Sequence, residues 1–128
     1  NALEGTLPDE LYAATRLRNI WAYDNTALSG TISEAIGGMK ALVHFSVYNT
    51  RLSGTLPTEL GLATALFRLN VRRNAHVGRV PSELGALPKL NELHLNNNAL
   101  SGTLPSHLGN ALELEQLYVN NNAQLSGA

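Results

Sequence analysis

One stretch decides the fold of this chain: residues 87–109, which read LPKLNELHLNNNALSGTLPSHLG. Leucines lie at Leu90, Leu93, Leu95 and Leu100, and a glycine follows at Gly102. Leu93 and Leu95 are two residues apart, so in a strand their side chains point to one face while the residue between them points to the other. The stretch therefore predicts a short strand with one apolar face, followed by a turn at the glycine.

The same pattern recurs along the chain with a period of 24 or 25 residues. Its most regular member is a corner glycine, found at Gly5, Gly30, Gly54, Gly78, Gly102 and Gly127. A Pro-x-x-Leu-Gly segment follows three of these glycines, at 57–61, 81–85 and 105–109. A fixed period of this length is typical of solenoids, in which each unit buries its apolar face against its neighbours.

The pattern resembles the leucine-rich repeat family, in its plant-type form with the signature LxxLxLxxNxLSGxLPxxLG. The resemblance covers residues 1–128 as about five units. It implies an α/β repeat fold, a right-handed solenoid with a parallel concave β-sheet and short helical or 3-10 turns on the convex side. We expect Thr-Leu-Pro to form a second short strand, and the glycine of Pro-x-x-Leu-Gly to end each helical turn.

An asparagine column accompanies the leucines. We expect its side chains to turn inward and to bond backbone groups that the turns leave unpaired. Thr50 replaces asparagine in the second unit, which predicts a looser turn there. In the fourth corner His76-Val77 replaces Leu-Ser, so either Val77 or the ring of His76 is expected to fill the apolar slot. The column consists of Asn1, Asn25, Asn74, Asn98 and Asn122.

Composition narrows the class of protein. Nine Lys+Arg against ten Asp+Glu argue against nucleic acid or an anionic membrane as the main partner. The chain has no cysteine, no apolar run long enough to span a bilayer, and none of the P-loop, GxGxxG, GxSxG or HExxH motifs. The four histidines lack ligand spacing, and His44 and His94 are two units apart, too far to share a metal. We therefore expect no enzyme, no cofactor and no metal site.

The ends of the chain carry neither a polar capping segment nor the paired cysteines that often flank plant-type arrays. An uncapped repeat exposes several hundred Å² of leucine, worth on the order of 10 kcal/mol of burial. We therefore expect a segment of a longer protein, with covering by a partner or end-to-end contact between uncapped repeats as the alternatives.

Function is then sought on the outward positions of the concave strands, because the family uses this face for recognition. The only Trp, three of four Tyr and four of seven Arg fall there, and these residue types are enriched in binding hot spots. Neighbouring positions predict that Arg72 stacks on Tyr48 and that Arg68 pairs with Glu92. The candidate partner-binding residues are Trp21, Tyr23, Tyr48, Arg68, Arg72, Arg73, His94 and Tyr118.

The leading hypothesis is a non-enzymatic module that binds a protein or peptide on this face, as part of a receptor-like or secreted protein. The resemblance alone implies an extracellular location or the cell surface. One alternative is a wall or adhesion module that binds acidic polysaccharide, and another is a structural or assembly segment whose aromatic residues merely suit exposed strands. A lesser alternative is ice binding through the column Thr6, Thr31, Thr55 and Thr103, which Arg79 interrupts.

Overall fold

The computed structural model describes residues 4–127, which form an array of short parallel strands in two sheets with helical turns between them. Each repeat contributes one strand to each sheet, so the predicted fold class is confirmed. The concave sheet has the order β10-β8-β6-β4-β2. Its strands are β2 (Asn19–Trp21), β4 (His44–Ser46), β6 (Arg68–Asn70), β8 (Glu92–His94) and β10 (Gln116–Tyr118).

The second sheet lies along the side of the array, in the order β1-β3-β5-β7-β9-β11. Its strands centre on the Leu-Ser-Gly-Thr corners and end at or before the threonine, so the prediction of a Thr-Leu-Pro strand was wrong. The glycine corner itself is extended enough to pair with the next unit. These strands are β1 (Glu4–Thr6), β3 (Ala27–Thr31), β5 (Arg51–Thr55), β7 (Ala75–Gly78), β9 (Ala99–Thr103) and β11 (Gln124–Ser126).

The corner glycines are required by both backbone conformation and packing. Gly54 has φ +76°, a left-handed conformation that glycine adopts without strain. A Cβ atom on Gly54 would also lie 2.8 Å from the Cγ2 methyl of Thr31 in the preceding unit. The threonine column therefore has a structural function, because its methyl groups cover the glycines of the neighbouring corners.

The convex side carries one short α-helix and four 3-10 turns in residues 4–127. None of these helices is long and apolar enough to cross a membrane. In the first, Tyr12 stands where other units have glycine; it is buried, and its hydroxyl accepts a hydrogen bond from the Ser33 amide at 3.2 Å. The elements are α1 (Asp9–Ala13), η1 (Glu34–Gly38), η2 (Thr58–Leu62), η3 (Ser82–Ala86) and η4 (Ser106–Asn110).

The prediction that the glycines of Pro-x-x-Leu-Gly end these turns was wrong, because each turn continues for one residue beyond its glycine. Their φ angles are also not left-handed. The reason for glycine is close approach between turns. A Cβ on Gly61 would lie 2.6 Å from the Cβ of Glu83 in the next turn, so a side chain here would push neighbouring units apart.

The asparagine column bonds the backbone as predicted, and it also joins neighbouring units. Asn98 Nδ2 donates to the carbonyl oxygens of Val71 and Leu95 at 3.0 and 3.1 Å, and its Oδ1 accepts from the His76 amide at 3.1 Å. Thr50 is buried, and its hydroxyl accepts from the Leu52 amide at 3.3 Å, so the turn that was expected to be looser is hydrogen-bonded. Asn1 lies outside the described residues.

The imidazole of His76, and not Val77, fills the apolar slot of the fourth corner. His76 is fully buried, whereas Val77 is 43% exposed. The ring Nδ1 lies 3.4 Å from the Gly54 carbonyl oxygen, and Nε2 has no hydrogen-bond partner among residues 4–127. Burial lowers the pKa of His76, because the charged imidazolium loses its hydration.

Replacing His76 by leucine is expected to stabilise the array by about 1 kcal/mol, because leucine fills the equivalent slots and needs no hydrogen bond. In the wild type, the pH-dependent part of the free energy of unfolding that comes from His76 is fully present above pH about 6.5, where the imidazole is neutral in both states. It is lost as the pH falls toward the lowered pKa of the folded state, because the unfolded chain binds the proton more readily. Thermal melts between pH 7.5 and 5 should therefore show a smaller acid loss for His76→Leu. The exposed His107→Leu is the control, and equal acid losses in both variants would contradict the prediction.

The concave face as candidate functional site

The outward side chains of the concave face stand in columns, because equivalent residues pair across the sheet. Ile20 lies opposite Phe45, Phe45 opposite Leu69, and Leu69 opposite Leu93. These inward residues are buried in the core and fix the backbone beneath the face. The last residue of each concave strand points outward, and these five residues form the central column. It consists of Trp21, Ser46, Asn70, His94 and Tyr118.

A stack of upright rings lies along one side of the central column. The rings of Tyr23 and Tyr48 are parallel within 6°, with centroids 4.8 Å apart, and the Arg72 guanidinium lies 4.2 Å from the Tyr48 centroid. The predicted stacking of Arg72 on Tyr48 is confirmed. Because the inner ring faces are covered by one another, the stack presents ring edges and a guanidinium edge to a ligand.

A second aromatic group joins this stack at Trp21. Its ring meets Tyr23 edge to face with centroids 6.4 Å apart, and it lies tilted over His44 at 5.5 Å. His44 in turn contacts Phe67 at 5.9 Å, and its Nδ1 donates to Asn19 Oδ1 at 2.7 Å. Trp21 is 50% exposed, so the rings form a continuous surface with an accessible indole.

An ion pair lies on the other side of the central column. Arg68 binds Glu92 through Nε to Oε2 at 2.5 Å and through a terminal nitrogen to Oε1 at 3.0 Å, which confirms the predicted cross-strand pair. The hydrogen bond from Arg68 holds the pKa of Glu92 below its usual value. His94 Nε2 lies 3.5 Å from Glu92 Oε2, and burial, opposed by Glu92, lowers the pKa of His94. At neutral pH the imidazole is therefore uncharged.

Two depressions open on this face, and together they contain all eight predicted site residues. One, of about 320 Å³, is lined by Trp21, Tyr23, Tyr48, Arg68, Arg72 and His94, with Ser46, Asn70, Glu92 and Gln116. The other, of about 380 Å³, is lined by Arg72, Arg73, His94, Asn96 and Tyr118. A larger one, of about 550 Å³, lies between β3, β5 and the turns after them, but no aromatic or basic side chain lines it.

Sequence reasoning missed the two residues that make the first depression possible, Ser46 and Asn70. Neither was among the predicted residues, because the prediction rested on the large residue types that are enriched in binding hot spots. The signal was present: in the same column, three units carry the large side chains of Trp21, His94 and Tyr118. Small residues between large ones produce a depression on an otherwise flat sheet.

Arg73 has an unusual backbone conformation for its residue type. Its φ is 54°, and the equivalent residues in the other units, which have the same conformation, are Asp or Asn. Those types adopt the left-handed region at lower cost. Asn49 bonds Asp24 at 2.7 Å and Asn121 bonds Asn97 at 2.7 Å, but Arg73 interrupts this row of side-chain hydrogen bonds. The arginine is thus present despite a local cost.

No group of three or more histidine, aspartate or glutamate side chains in residues 4–127 is arranged to hold a metal ion. The site offers aromatic edges, guanidinium groups and amides, and this arrangement is suited to binding a ligand by shape and hydrogen bonding.

Comparison with known proteins agrees with this architecture. The Leucine Rich Repeat family model matches residues 89–111. Among curated proteins, none matches the chain. The solved ectodomain of the membrane receptor kinase GASSHO1/SCHENGEN3 from Arabidopsis thaliana, in complex with CASPARIAN STRIP INTEGRITY FACTOR 2, is 36% identical with a TM-score of 0.92; the match covers 99% of this chain and 15% of that one.

Two further solved structures are similar. The Arabidopsis receptor kinase HAESA, in complex with the peptide hormone IDA and the co-receptor SERK1, is 35% identical (TM-score 0.91), with 99% of this chain and 21% of that chain covered. A plant ice-binding protein is 32% identical (TM-score 0.87), with 97% and 40% covered. The chain thus spans less than half the length of each. By its repeat frame, family match and shared fold, the chain belongs to the leucine-rich repeat family, in its plant-type form.

Proposed function

We propose that this chain is a ligand-binding segment of a receptor-like or secreted repeat protein, and that it binds a peptide or protein on its concave face. The observation that carries the proposal is the aromatic and arginine surface that runs from Trp21 to Arg72, together with the His94–Tyr118 pair that lines a depression with Arg72. Interfaces concentrate their binding energy in such residues, which bury much area with little loss of side-chain freedom. The similar receptor kinase HAESA, solved in complex with the peptide hormone IDA, supports the same class of partner.

The backbone at Arg73 supports the proposal independently. Asparagine would adopt this conformation at lower cost and would continue the row between Asn49 and Asn97. Residues held in unfavourable backbone conformations are concentrated at functional sites. An arginine that lowers local stability while lining a depression with Arg72 and His94 is best explained by contact with a ligand.

An extracellular location and further repeats beside this segment are part of the proposal. The similar receptor structures include one described as an ectodomain, which supports the location. Leu117 is 39% exposed, whereas the equivalent Leu93, covered by the next unit, is fully buried. An additional repeat, a partner or a second uncapped copy stacked on the last unit would bury this leucine in the same way.

Ice binding has weaker support, although one similar structure is an ice-binding protein. The threonine methyl groups that would face ice pack over the corner glycines, and the side chain of Arg79 takes the place of a threonine next to Gly102. The threonine column therefore has a structural explanation that does not involve ice.

The double variant Trp21→Ala/Arg72→Ala is expected to weaken ligand binding at least about thirtyfold, the effect of removing about 2 kcal/mol of hot-spot contacts. The ligand would be selected from a displayed peptide library on the wild-type protein, and its affinity measured by calorimetry. The melting temperature should change little, since Trp21 is half-exposed and Arg72 lies on the outer face.

Arg51→Ala is the matched control and should bind as the wild type does, because Arg51 is exposed on the second sheet, away from the concave face. Unchanged affinity in the double variant would place the ligand elsewhere. Loss of folding in the double variant would assign the two residues a structural function instead.

A further inference from the structure

The middle of the concave face contains a cup whose floor is made of small side chains. Ser46 and Asn70 form the floor and are 1% and 4% exposed. Trp21 and His94 stand at its two ends, three strand spacings or roughly 14 Å apart. The cup has a volume of about 320 Å³ and is open to solvent. It has room for one six-membered ring with its substituents.

The walls of the cup offer hydrogen-bond donors and acceptors side by side. Arg68 and Glu92 bind each other and remain 34% and 12% exposed, so the pair still presents N–H groups and carboxylate lone pairs. Tyr48 also lines the cup and carries a hydroxyl, which can donate and accept. Each hydroxyl group of a sugar likewise donates and accepts, so a wall of both kinds suits a ring with several hydroxyl groups.

The cup carries one positive charge that the protein does not neutralise. Arg68 is paired with Glu92, but within residues 4–127 no carboxylate lies within 4 Å of the Arg72 guanidinium, which rests on Tyr48. A guanidinium binds a carboxylate through two parallel hydrogen bonds. The chemistry of the cup therefore favours a ligand with one negative group beside its hydroxyl groups.

A buried hydroxyl on the floor points to the same place. Ser46 Oγ is inaccessible to solvent and has no hydrogen-bond partner in the described part of the chain. Buried polar atoms are almost always paired, because an unpaired one costs free energy. Because Ser46 lines the cup, a polar group of a ligand seated there would supply the missing partner.

From these observations we propose that the cup binds a single uronic acid ring, a pyranose with one carboxylate. The carboxylate pairs with Arg72, the ring hydroxyls bind the Arg68–Glu92 pair and the floor, and the apolar face of the ring lies against Trp21. This site goes beyond peptide binding, and it is tested separately because free sugars serve as probes.

The probes are methyl glucuronide, the neutral methyl glucoside, and acetate as a carboxylate without a ring. Calorimetric or ligand-observed NMR titrations of the wild-type protein should give millimolar binding of the glucuronide, about tenfold tighter than the glucoside, because one charge-assisted pair is added. Acetate should bind more weakly than either glycoside. Raising the salt concentration should reduce the preference for the glucuronide.

Two variants locate the site. Ser46→Tyr fills the cup and should abolish binding of both glycosides; Trp21 and Tyr118 occupy the same column, so the strand accommodates a large residue here. Arg72→Gln should reduce glucuronide binding to the level of the glucoside. Ser126→Leu replaces an exposed serine on the second sheet, and it should bind both glycosides as the wild type does.

Three results would overturn the proposal. Absence of glucuronide binding would show that no such site exists. Acetate binding as tight as the glucuronide would leave only an anion site at Arg72. Undiminished binding to Ser46→Tyr would place the sugar outside the cup; if that variant fails to fold, the response of Arg72→Gln decides. A loss of peptide binding in Tyr118→Ala, which lies outside the cup, would concern only the peptide proposal.

Discussion

Replacing Gly85 by alanine is expected to destabilise the array by about 3 kcal/mol, and to lower the melting temperature by about 10 °C. A methyl group on Gly85 would overlap the backbone carbonyl of His107 in the next convex turn. Backbone atoms cannot move aside as a flexible side chain can, so η3 and η4 must separate. Separation exposes Leu84 and Leu108, which are buried between neighbouring turns.

Gly109 provides a matched control, because it occupies the same position in the following unit. A Cβ on Gly109 would meet no atom within 4 Å, and the residue is exposed. Gly109→Ala should therefore leave the melting curve unchanged within error. If Gly85→Ala melted at the same temperature as Gly109→Ala, close approach of the turns would not be the reason for glycine in this column.

The second large effect is expected at Asn98. Replacing it by aspartate keeps the Oδ1 atom that accepts from the His76 amide, but it removes the two N–H donors to Val71 and Leu95. It also places a carboxylate oxygen about 3 Å from two carbonyl oxygens. Asn98 is half-buried, and a charge held there against two acceptors remains unfavourable, so we expect a loss of about 3 kcal/mol in the free energy of unfolding at pH 7.

Urea unfolding followed by circular dichroism would measure this loss. Asn110→Asp makes the same chemical change at an exposed position at the end of η4, and should alter stability by less than about 0.5 kcal/mol. Because Asn98 bonds backbone groups of two units, its variant should also unfold with a smaller denaturant dependence if the array separates at that point. Equal stability of the two variants would show that the asparagine column does not join the units.

The fold was predictable from sequence because its signal is periodic. The apolar positions of Leu93 and Leu95 repeat in each unit at the spacing of a strand, and a slip by one residue would expose the apolar side chains of that strand. The repetition makes the register of the whole concave sheet follow from one unit. The contacts of Arg72 with Tyr48 and of Arg68 with Glu92 were predictable for the same reason, since side chains in adjacent units must stand side by side.

Other features depended on contacts between units that no single repeat displays. The glycine of Pro-x-x-Leu-Gly was predicted to end a turn, but its requirement comes from the backbone of the following unit, as Gly85 and His107 show. The second strand of each unit was predicted at Thr-Leu-Pro, one segment beyond its actual position. The strand lies at the glycine corner, because this corner pairs with the corner of the next unit. Hydrophobicity alone favours Val77 for the apolar slot, whereas the structure places His76 there.

For this protein the sequence by itself determined the repeat, and it determined which side chains of the concave strands point outward. The tertiary structure decided what those side chains do to one another. Stacking leaves the ring edges of Tyr23 and Tyr48 exposed. The ion pair with Glu92 neutralises Arg68 but not Arg72. The small side chains of Ser46 and Asn70 leave a cup between larger neighbours. The repeat period determines which way each side chain points. The distances between side chains, the balance of their charges and the depth of the cup are determined only when the units stack.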